Sequence, residues 1–190
     1  MTADDPDAAL VRRSLAGHAD AQRELVERYR ETVYRLARSA TGDPDEALDI
    51  TQEAFIAAFG ALNRFDPGRS FKAWISAITL NKCRDWARRR AVRRFIGLPM
   101  SEQAAQWIAD DAPSAQTLAA DRAELAATAR AIAKLPARLK DVLILCTVEG
   151  LSQQETATTL GISVKAVETR LGRARKKLQE TLRGEGLARV

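Results

Sequence analysis

Apolar residues recur along most of this chain at steps of three and four, which is the spacing of one face of an α-helix. The clearest stripe begins at Ala21 and continues to Ala40. No stretch of useful length alternates between apolar and polar residues, as a half-buried strand would. The pattern therefore predicts an all-α fold.

Start and stop signals divide this pattern into separate helices. A short helix is predicted from Asp7 to Leu15, and the Ala21 helix ends at Thr41-Gly42. Asp43-Pro44 combines an N-cap acid with proline at the first helical position, so a new helix is predicted from there to about Phe65. Ser70 can cap the next helix, which continues beyond Phe71.

The helix that follows Asp43 has two distinct faces. Its inward face is predicted to bury Leu48, Thr51, Phe55, Phe59 and Leu62. Its opposite face carries two carboxylates, an amide and an apolar side chain at i, i+3, i+4 and i+7, namely Asp49, Gln52, Glu53 and Ile56. We interpret this second face as an outward ridge.

Charge is unevenly distributed along the chain, whose net charge is +5. Lys82–Arg94 and Lys165–Lys177 are strongly basic, whereas the chain between these two stretches is acidic around Trp107 and contains proline and serine. Any one such run is commonly a solvated helix face. Together they predict two small helical domains, residues 1–95 and 117–190, joined by a linker over residues 96–116.

Composition excludes several classes of protein. His18 is the only histidine, Cys83 and Cys146 are far apart, and neither GxGxxG nor GxxxxGK[ST] occurs. We therefore expect no enzymatic activity, no metal and no cofactor. No apolar run reaches the roughly 18 residues of a membrane span, and the acidic N-terminus is unlike a signal peptide, so we expect a cytoplasmic protein without membrane insertion.

The most specific motif lies near the C-terminus. Ser152 and Glu155 form a predicted capping box, and Gly161 can supply a tight turn before Ser163 caps a longer helix. A small residue, Ala157, allows the two helices to cross closely. This combination is typical of a helix-turn-helix.

The longer helix then separates into two faces. Val167, Leu171, Ala174 and Leu178 are predicted to face its partner helices, which leaves outside Lys165, Ala166, Thr169, Arg170, Arg173 and Lys177. Small or polar residues near the helix start can contact base edges, and arginines farther along can contact phosphates. We therefore predict that this helix binds DNA.

Three stretches of the chain resemble a known family. Asp49–Phe55 matches DxxQ[DE]xF, Phe71–Arg90 is similar to the FxxWLxxIAxNxxxDxxRR pattern, and Leu135–Arg175 resembles the C-terminal domain of bacterial sigma factors. With two such domains and no others, the chain resembles the extracytoplasmic-function (ECF) sigma factors of bacterial RNA polymerase. The resemblance implies a promoter-specificity subunit, which is normally held by an anti-sigma factor.

The resemblance also implies roles for individual residues. Asp49, Gln52, Glu53 and Ile56 would dock on the β′ coiled coil of core RNA polymerase. The minus-ten element of promoter DNA would be bound as a single strand by Phe65, Asp66, Arg69, Ser70, Asn81, Lys82, Arg84, Asp85, Arg88 and Arg89. The minus-thirty-five element would be contacted in the major groove by Ser163, Lys165, Ala166, Glu168, Thr169, Arg170 and Arg173.

Two positions remain open at this stage. Glu168 stands where members of the family often have a basic residue, so it could either accept a hydrogen bond from a cytosine amino group or orient a neighbouring arginine. Trp86 could be a wedge between bases or part of the core.

Two other functions share part of this pattern. A helix-turn-helix regulator of the two-component output type needs neither polymerase nor the Lys82–Arg94 helix. A sigma mimic that only sequesters an anti-sigma factor need not keep basic DNA-facing helices. Transcription with core polymerase distinguishes all three.

Overall fold

The computed structural model describes residues 6–95 and 127–184 of the chain. Within these ranges the chain is helical between short turns and contains no strand. The prediction of an all-α fold is confirmed. The predicted linker and Trp107 lie outside the described residues.

Residues 6–95, here called the N-terminal module, contain α1 (Pro6–Leu15), α2 (Ala19–Thr41), α3 (Pro44–Gly60), a 3-10 turn (Leu62–Arg64) and α4 (Phe71–Phe95). Residues 127–184, the C-terminal module, contain α5 over residues 127–133, α6 (Ala137–Leu143), a π-helical segment (Ile144–Val148), α7 (Gln153–Leu160) and α8 (Val164–Gly184). None of the helices in these two ranges is long and apolar enough to cross a bilayer.

Helix α3 begins where its sequence signal predicts. The Asp43 carboxylate accepts hydrogen bonds from the backbone N–H groups of Asp45 at 3.0 Å and Glu46 at 3.2 Å, and Pro44 occupies the first turn. The acids of this turn also face the positive end of the helix dipole. The helix ends at Gly60 rather than near Phe65, because the backbone departs from helical angles at Ala61 and tightens into the 3-10 turn.

The buried face of α3 differs from the predicted one. Leu48 is 53% exposed, so the prediction that it is buried is wrong. The helix instead packs through a narrower stripe of Ala47, Ile50, Ala54, Phe55 and Ala58. The alanines of this stripe allow close approach, and Ala47 and Ile50 pack with Ala37 of α2 and with Cys83 and Trp86 of α4.

Aromatic side chains fill the other end of this module. Phe65 and Phe71 are buried, and the Phe65 ring lies 5.5 Å from that of Phe71 and 5.3 Å from that of Trp74. Trp86, which sequence left open between wedge and core, is 7% exposed and carries the Arg90 guanidinium over its ring. Trp86 is therefore buried in the core, and Trp74 packs against it.

The C-terminal module folds as a helix-turn-helix on two preceding helices. Ser152 and Glu155 form the predicted capping box, and Gly161 makes the turn with φ +63°. Hydrogen bonds from Ser152 hold the pKa of Glu155 below its usual value. Val167, Leu171 and Ala174 of α8 are buried against the other helices of this module, as predicted.

Helix α6 changes to a π-helical segment at Ile144. The backbone N–H of Glu149 bonds the carbonyl of Ile144, five residues back, at 3.0 Å, and Leu151 bonds Leu145 at 2.9 Å. This wider turn places Ile144 and Leu145 inside the protein, and Glu149, which follows it, is also buried.

The two modules pack directly on each other. Leu36, Ala73 and Leu80 of the N-terminal module form one buried cluster with Ile144, Leu145 and Leu151 of the C-terminal module. We call this contact the module interface. It makes α4 and α2 neighbours of α7 and the π-helical segment.

Candidate nucleic-acid and polymerase interfaces

The outward ridge of α3 lies on the surface as predicted. Asp49 and Gln52 are exposed, and Ile56 is 73% exposed despite being apolar. Leu48 extends the same exposed apolar surface, and sequence missed it because the helix was assigned a wider buried stripe. An apolar centre flanked by polar groups is the composition of a protein-binding surface.

Glu53 differs from the rest of the ridge. Its carboxylate lies 3.5 Å from Lys82 Nζ and 3.8 Å from an Arg89 guanidinium nitrogen, both on α4. Glu53 therefore lies on the predicted polymerase-binding ridge and also forms ion pairs with the predicted minus-ten helix.

The loop before α4 is ordered by its own side chains. Asp66 Oδ1 accepts a hydrogen bond from the Gly68 N–H at 2.9 Å, and Ser70 Oγ accepts a longer one from the Ala73 N–H at 3.4 Å. Phe65 supports the loop from within the core, whereas Asp66 and Arg69 are exposed. The loop thus offers polar groups, and its one aromatic ring faces inward.

Helix α4 presents the predicted minus-ten residues along one side. Lys82, Arg88 and Arg89 are paired with nearby acids, Arg88 with Asp85 and the other two with Glu53. These pairs are solvent-accessible, so a phosphate can replace the acid at little cost. Asn81 accepts a hydrogen bond from Arg84 at 2.8 Å, which orients that guanidinium.

Two of the predicted minus-ten residues contact the C-terminal module. Arg69 donates to the backbone carbonyl of Thr158 at 3.1 Å. Arg84 donates twice to one oxygen of Asp141, at 3.1 and 2.6 Å. Sequence could not identify these partners, which are 89 and 57 residues away along the chain.

Asp141 is a buried carboxylate, 5% exposed, at this boundary. Burial raises its pKa, while Arg84, Lys140 and Arg170 act in the opposite direction. Burial likewise lowers the pKa of the neighbouring Lys140 and raises that of Cys83 to about 12. Because burial causes these shifts, the pKa values of the three groups depend on whether the module interface is closed.

The outward face of α8 matches the prediction at most positions. Lys165, Thr169 and Arg173 are exposed, and Ser163 Oγ accepts a hydrogen bond from the Ala166 N–H at 3.2 Å. Arg170 is half-buried and lines a cleft with Arg84 and Asp141. The face is therefore basic along its length, with Arg170 closest to the other module.

Glu168 pairs with Lys165 in this structure. Its carboxylate lies 2.9 Å from Lys165 Nζ, one helical turn away, and both side chains are exposed. Sequence left open whether Glu168 accepts a hydrogen bond from cytosine or orients a neighbouring arginine, and within the described part of the chain its partner is Lys165 rather than an arginine.

Among residues 6–95 and 127–184, no cluster of histidine, cysteine or acidic side chains could hold a metal ion.

Both modules match models of known protein families. The family model described as Sigma-70 region 2 matches residues 25–93, and the model described as Sigma-70, region 4 matches residues 125–178. The first match contains α3 and nearly all of α4, and the second contains the helix-turn-helix.

Individual proteins match over most of the chain. The RNA polymerase sigma factor CnrH of Cupriavidus metallidurans is 40% identical over 186 residues, which cover 96% of this chain and 97% of that protein. The ECF RNA polymerase sigma factor SigW of Bacillus subtilis is 32% identical over 176 residues, which cover 88% of this chain and 91% of that protein.

A solved structure extends the similarity to the arrangement of helices. CnrH in complex with the cytosolic domain of CnrY has a TM-score of 0.70 and 33% sequence identity, covering 95% of this chain and 99% of that one. The chain therefore belongs to the extracytoplasmic-function sigma factors, the non-catalytic subunits that direct bacterial RNA polymerase to specific promoters.

Proposed function

We propose that this sigma factor binds core RNA polymerase through the α3 ridge and binds promoter DNA through α4 and α8. The polymerase-binding residues are Asp49, Gln52, Glu53 and Ile56, to which we add Leu48. The strongest support is the exposure of Ile56 and Leu48 beside Asp49 and Gln52, because apolar side chains held in water are characteristic of a docking surface. We propose that this surface docks on the β′ coiled coil of core RNA polymerase.

Single-stranded minus-ten DNA would bind along the loop and the basic side of α4. The residues are Phe65, Asp66, Arg69, Ser70, Asn81, Lys82, Arg84, Asp85, Arg88 and Arg89. Phe65 acts as the floor of the loop, since its ring is buried. The other groups provide hydrogen bonds and positive charge, which must offset the few kcal/mol needed to extrude a base.

The minus-thirty-five element would be bound in the major groove by α8. The residues are Ser163, Lys165, Ala166, Glu168, Thr169, Arg170 and Arg173. An acid on this face is repelled by phosphates, so it is useful only where it contacts a base edge. Glu168 would accept from a cytosine amino group while Lys165 donates to a guanine, and their contact in the free chain would keep both side chains near the groove.

The remaining assignments follow from the family and its relatives. We place the polymerase-binding and minus-ten domain at residues 1–95, the linker at 96–116 and the minus-thirty-five domain at 117–190. We propose that an anti-sigma factor controls the protein, because the structure of the relative CnrH contains the cytosolic domain of CnrY. Its site of action would be the cytoplasm, where RNA polymerase works.

Transcription in vitro with core polymerase on genomic DNA tests this function. The wild-type chain should produce promoter-specific transcripts, and Asp49→Lys should abolish both transcription and recovery of the chain with polymerase. Asp49 has the advantage over Glu53 that its replacement leaves the ion pairs of α4 intact. The matched control is Glu27→Lys, a charge reversal at an exposed position of α2.

Duplex DNA binding should be unaffected by Asp49→Lys, because α8 lies in the other module. Promoter-specific transcription by Asp49→Lys at the wild-type level would refute the assignment of the ridge. Failure of the wild-type chain to initiate would refute the sigma function itself and favour a sequestering mimic or a simple DNA-binding regulator.

A further inference from the structure

Three arginines from three different helices line one cleft. Arg84 belongs to α4, Arg138 to α6 and Arg170 to α8, and the cleft that they line has a volume of about 510 Å³. We call it the arginine cleft. Pockets that hold small molecules have volumes of roughly 300–1,000 Å³, so the arginine cleft is large enough for a ligand of nucleotide size.

The arginine cleft also contains the buried acid Asp141. Arg84 donates to Asp141 Oδ2 from two of its nitrogens, at 3.1 and 2.6 Å, which leaves Oδ1 to accept from another group. Among the described residues, Arg84 is the only arginine of the cleft in an ion pair with this carboxylate, and Arg170 acts on it from farther away by lowering its pKa. Positive charge is therefore in excess, and the guanidinium groups of Arg138 and Arg170 can bind an anion.

A chain of phosphates is the anion that fits this arrangement. Guanidinium groups form paired hydrogen bonds with phosphate oxygens, and they remain charged at any physiological pH. Arg138 and Arg170 lie on separate helices, so a chain of phosphates can contact both of them where one small anion would contact only one.

Part of the wall of the arginine cleft is apolar. Leu160 and Ile162, on either side of the Gly161 turn, line it and are only half-buried. A few polar groups beside an apolar wall are typical of a small-molecule site, and a flat base can cover such a wall. Asp141 Oδ1 adds an acceptor for a sugar hydroxyl, which is the contact that acidic side chains make with ribose in dinucleotide-binding folds. An inorganic phosphate chain would use neither feature.

We propose that the arginine cleft binds a nucleoside polyphosphate. Arg138 and Arg170 bind its phosphates. Leu160 and Ile162 contact its base, and Asp141 accepts a hydrogen bond from its ribose.

This ligand competes with promoter DNA, a consequence that rests on the function proposed above. Arg170 belongs to the proposed minus-thirty-five surface, and a guanidinium bound to a nucleotide cannot form the same hydrogen bonds with DNA. Arg138 belongs to neither proposed DNA-binding set. Its replacement can therefore weaken the ligand while leaving those sets unchanged.

Isothermal titration calorimetry of the full chain tests the site directly. GTP, ATP and inorganic tripolyphosphate are the separate probes, all at one salt concentration. The test variant is Arg138→Gln, and the matched control is Arg175→Gln, which replaces an exposed arginine of α8 that does not line the cleft. Both variants lose one exposed positive charge, so general attraction of anions to a basic protein is reduced equally in both.

We expect a nucleotide to bind the wild type and Arg175→Gln alike and to bind Arg138→Gln about tenfold more weakly. Tripolyphosphate should bind more weakly than that nucleotide, because it cannot contact the apolar wall. Absence of binding by both nucleotides at millimolar concentration, or equal weakening by the two substitutions, would overturn the site. Equal affinities for tripolyphosphate and the nucleotides would overturn the assignment of a nucleoside.

Fluorescence anisotropy with a labelled DNA duplex of mixed sequence tests the competition. A nucleotide concentration that saturates the wild type should weaken duplex binding by the wild type and by Arg175→Gln, and should weaken it less in Arg138→Gln. Equal duplex affinity of the wild type with and without nucleotide would overturn the competition. Calorimetry uses no DNA, so a chain that bound no duplex at all would count against the proposed function and leave the result on the arginine cleft unchanged.

Discussion

Two glycines of the helix-turn-helix, Gly161 and Gly172, should respond in opposite directions to the same substitution. Gly161 forms the turn between α7 and α8 with φ +63° and ψ 39°, which is the left-handed region. Gly172 lies inside α8, on its exposed face. A Cβ added at either position would meet no atom within 4 Å, so steric contact cannot account for a difference between them.

The backbone alone sets the expected magnitudes. At Gly161 an L-residue costs about 1–2 kcal/mol, because its Cβ crowds the following carbonyl. Part of that cost, about 0.4–1 kcal/mol, is returned because alanine restricts the unfolded chain. Gly161→Ala should therefore lower the free energy of unfolding by about 1 kcal/mol, whereas Gly172→Ala should raise it by about 0.5–1 kcal/mol.

Thermal unfolding followed by far-ultraviolet circular dichroism measures both effects. For a chain of this length, 1 kcal/mol corresponds to about 2–4 °C in Tm, so the two variants should lie on opposite sides of the wild type. Gly161→Asn should lose less than Gly161→Ala, since asparagine tolerates the left-handed region. A rise in Tm for Gly161→Ala, or a fall for Gly172→Ala, would refute the backbone reasoning.

Other properties are equally open to measurement. Arg173→Ala should weaken duplex binding and make the slope of log affinity against log salt less steep by about 0.9, the share of one phosphate, and an unchanged slope would show that Arg173 does not contact the backbone. Glu168→Gln should lose about tenfold of discrimination for cytosine at one promoter position when all four bases are compared there, and equal preference before and after the change would exclude base contact. Cys83 should resist thiol reagents in the native chain, because a pKa of about 12 leaves roughly one thiolate in ten thousand at pH 8, and rapid native labelling at this position would contradict its burial. Burial is the main cause that raises the pKa of Asp141 in the folded chain, so its contribution to the free energy of unfolding should fall as pH rises from about 3.9 through the folded pKa. Asp141→Asn should remove this pH dependence when stability is measured by urea titration at several pH values. An identical pH dependence in the variant would disprove the role of Asp141.

Sequence predicted the helices wherever their ends are determined locally. Asp43 with Pro44, and Ser152 with Glu155, provide caps whose hydrogen bonds involve only residues three or fewer positions away. The buried face of α8 was equally predictable, because Val167 and its successors follow a simple helical period. Such features do not depend on the rest of the fold.

Features that depend on distant partners were not predictable in the same way. Leu48 and Ile50 are both apolar, and only the position of α2 and α4 decides that Ile50 is buried while Leu48 is exposed. Glu149 is the first residue of a recognisable motif, yet its partner Arg35 is 114 positions away. Phe65 lies in a loop that resembles a DNA-binding loop, but its ring belongs to the core.

The buried cluster shared by Leu36, Leu80 and Ile144 has a consequence during synthesis. About 60 residues separate Leu80 from Ile144, and at roughly 5–20 residues per second a ribosome needs several seconds to add them. Throughout that interval the apolar surface around Leu36 and Leu80 is exposed on the first half of the nascent protein. Chaperones and proteases thus have a brief window in which to act on each new copy before its second half arrives to cover it.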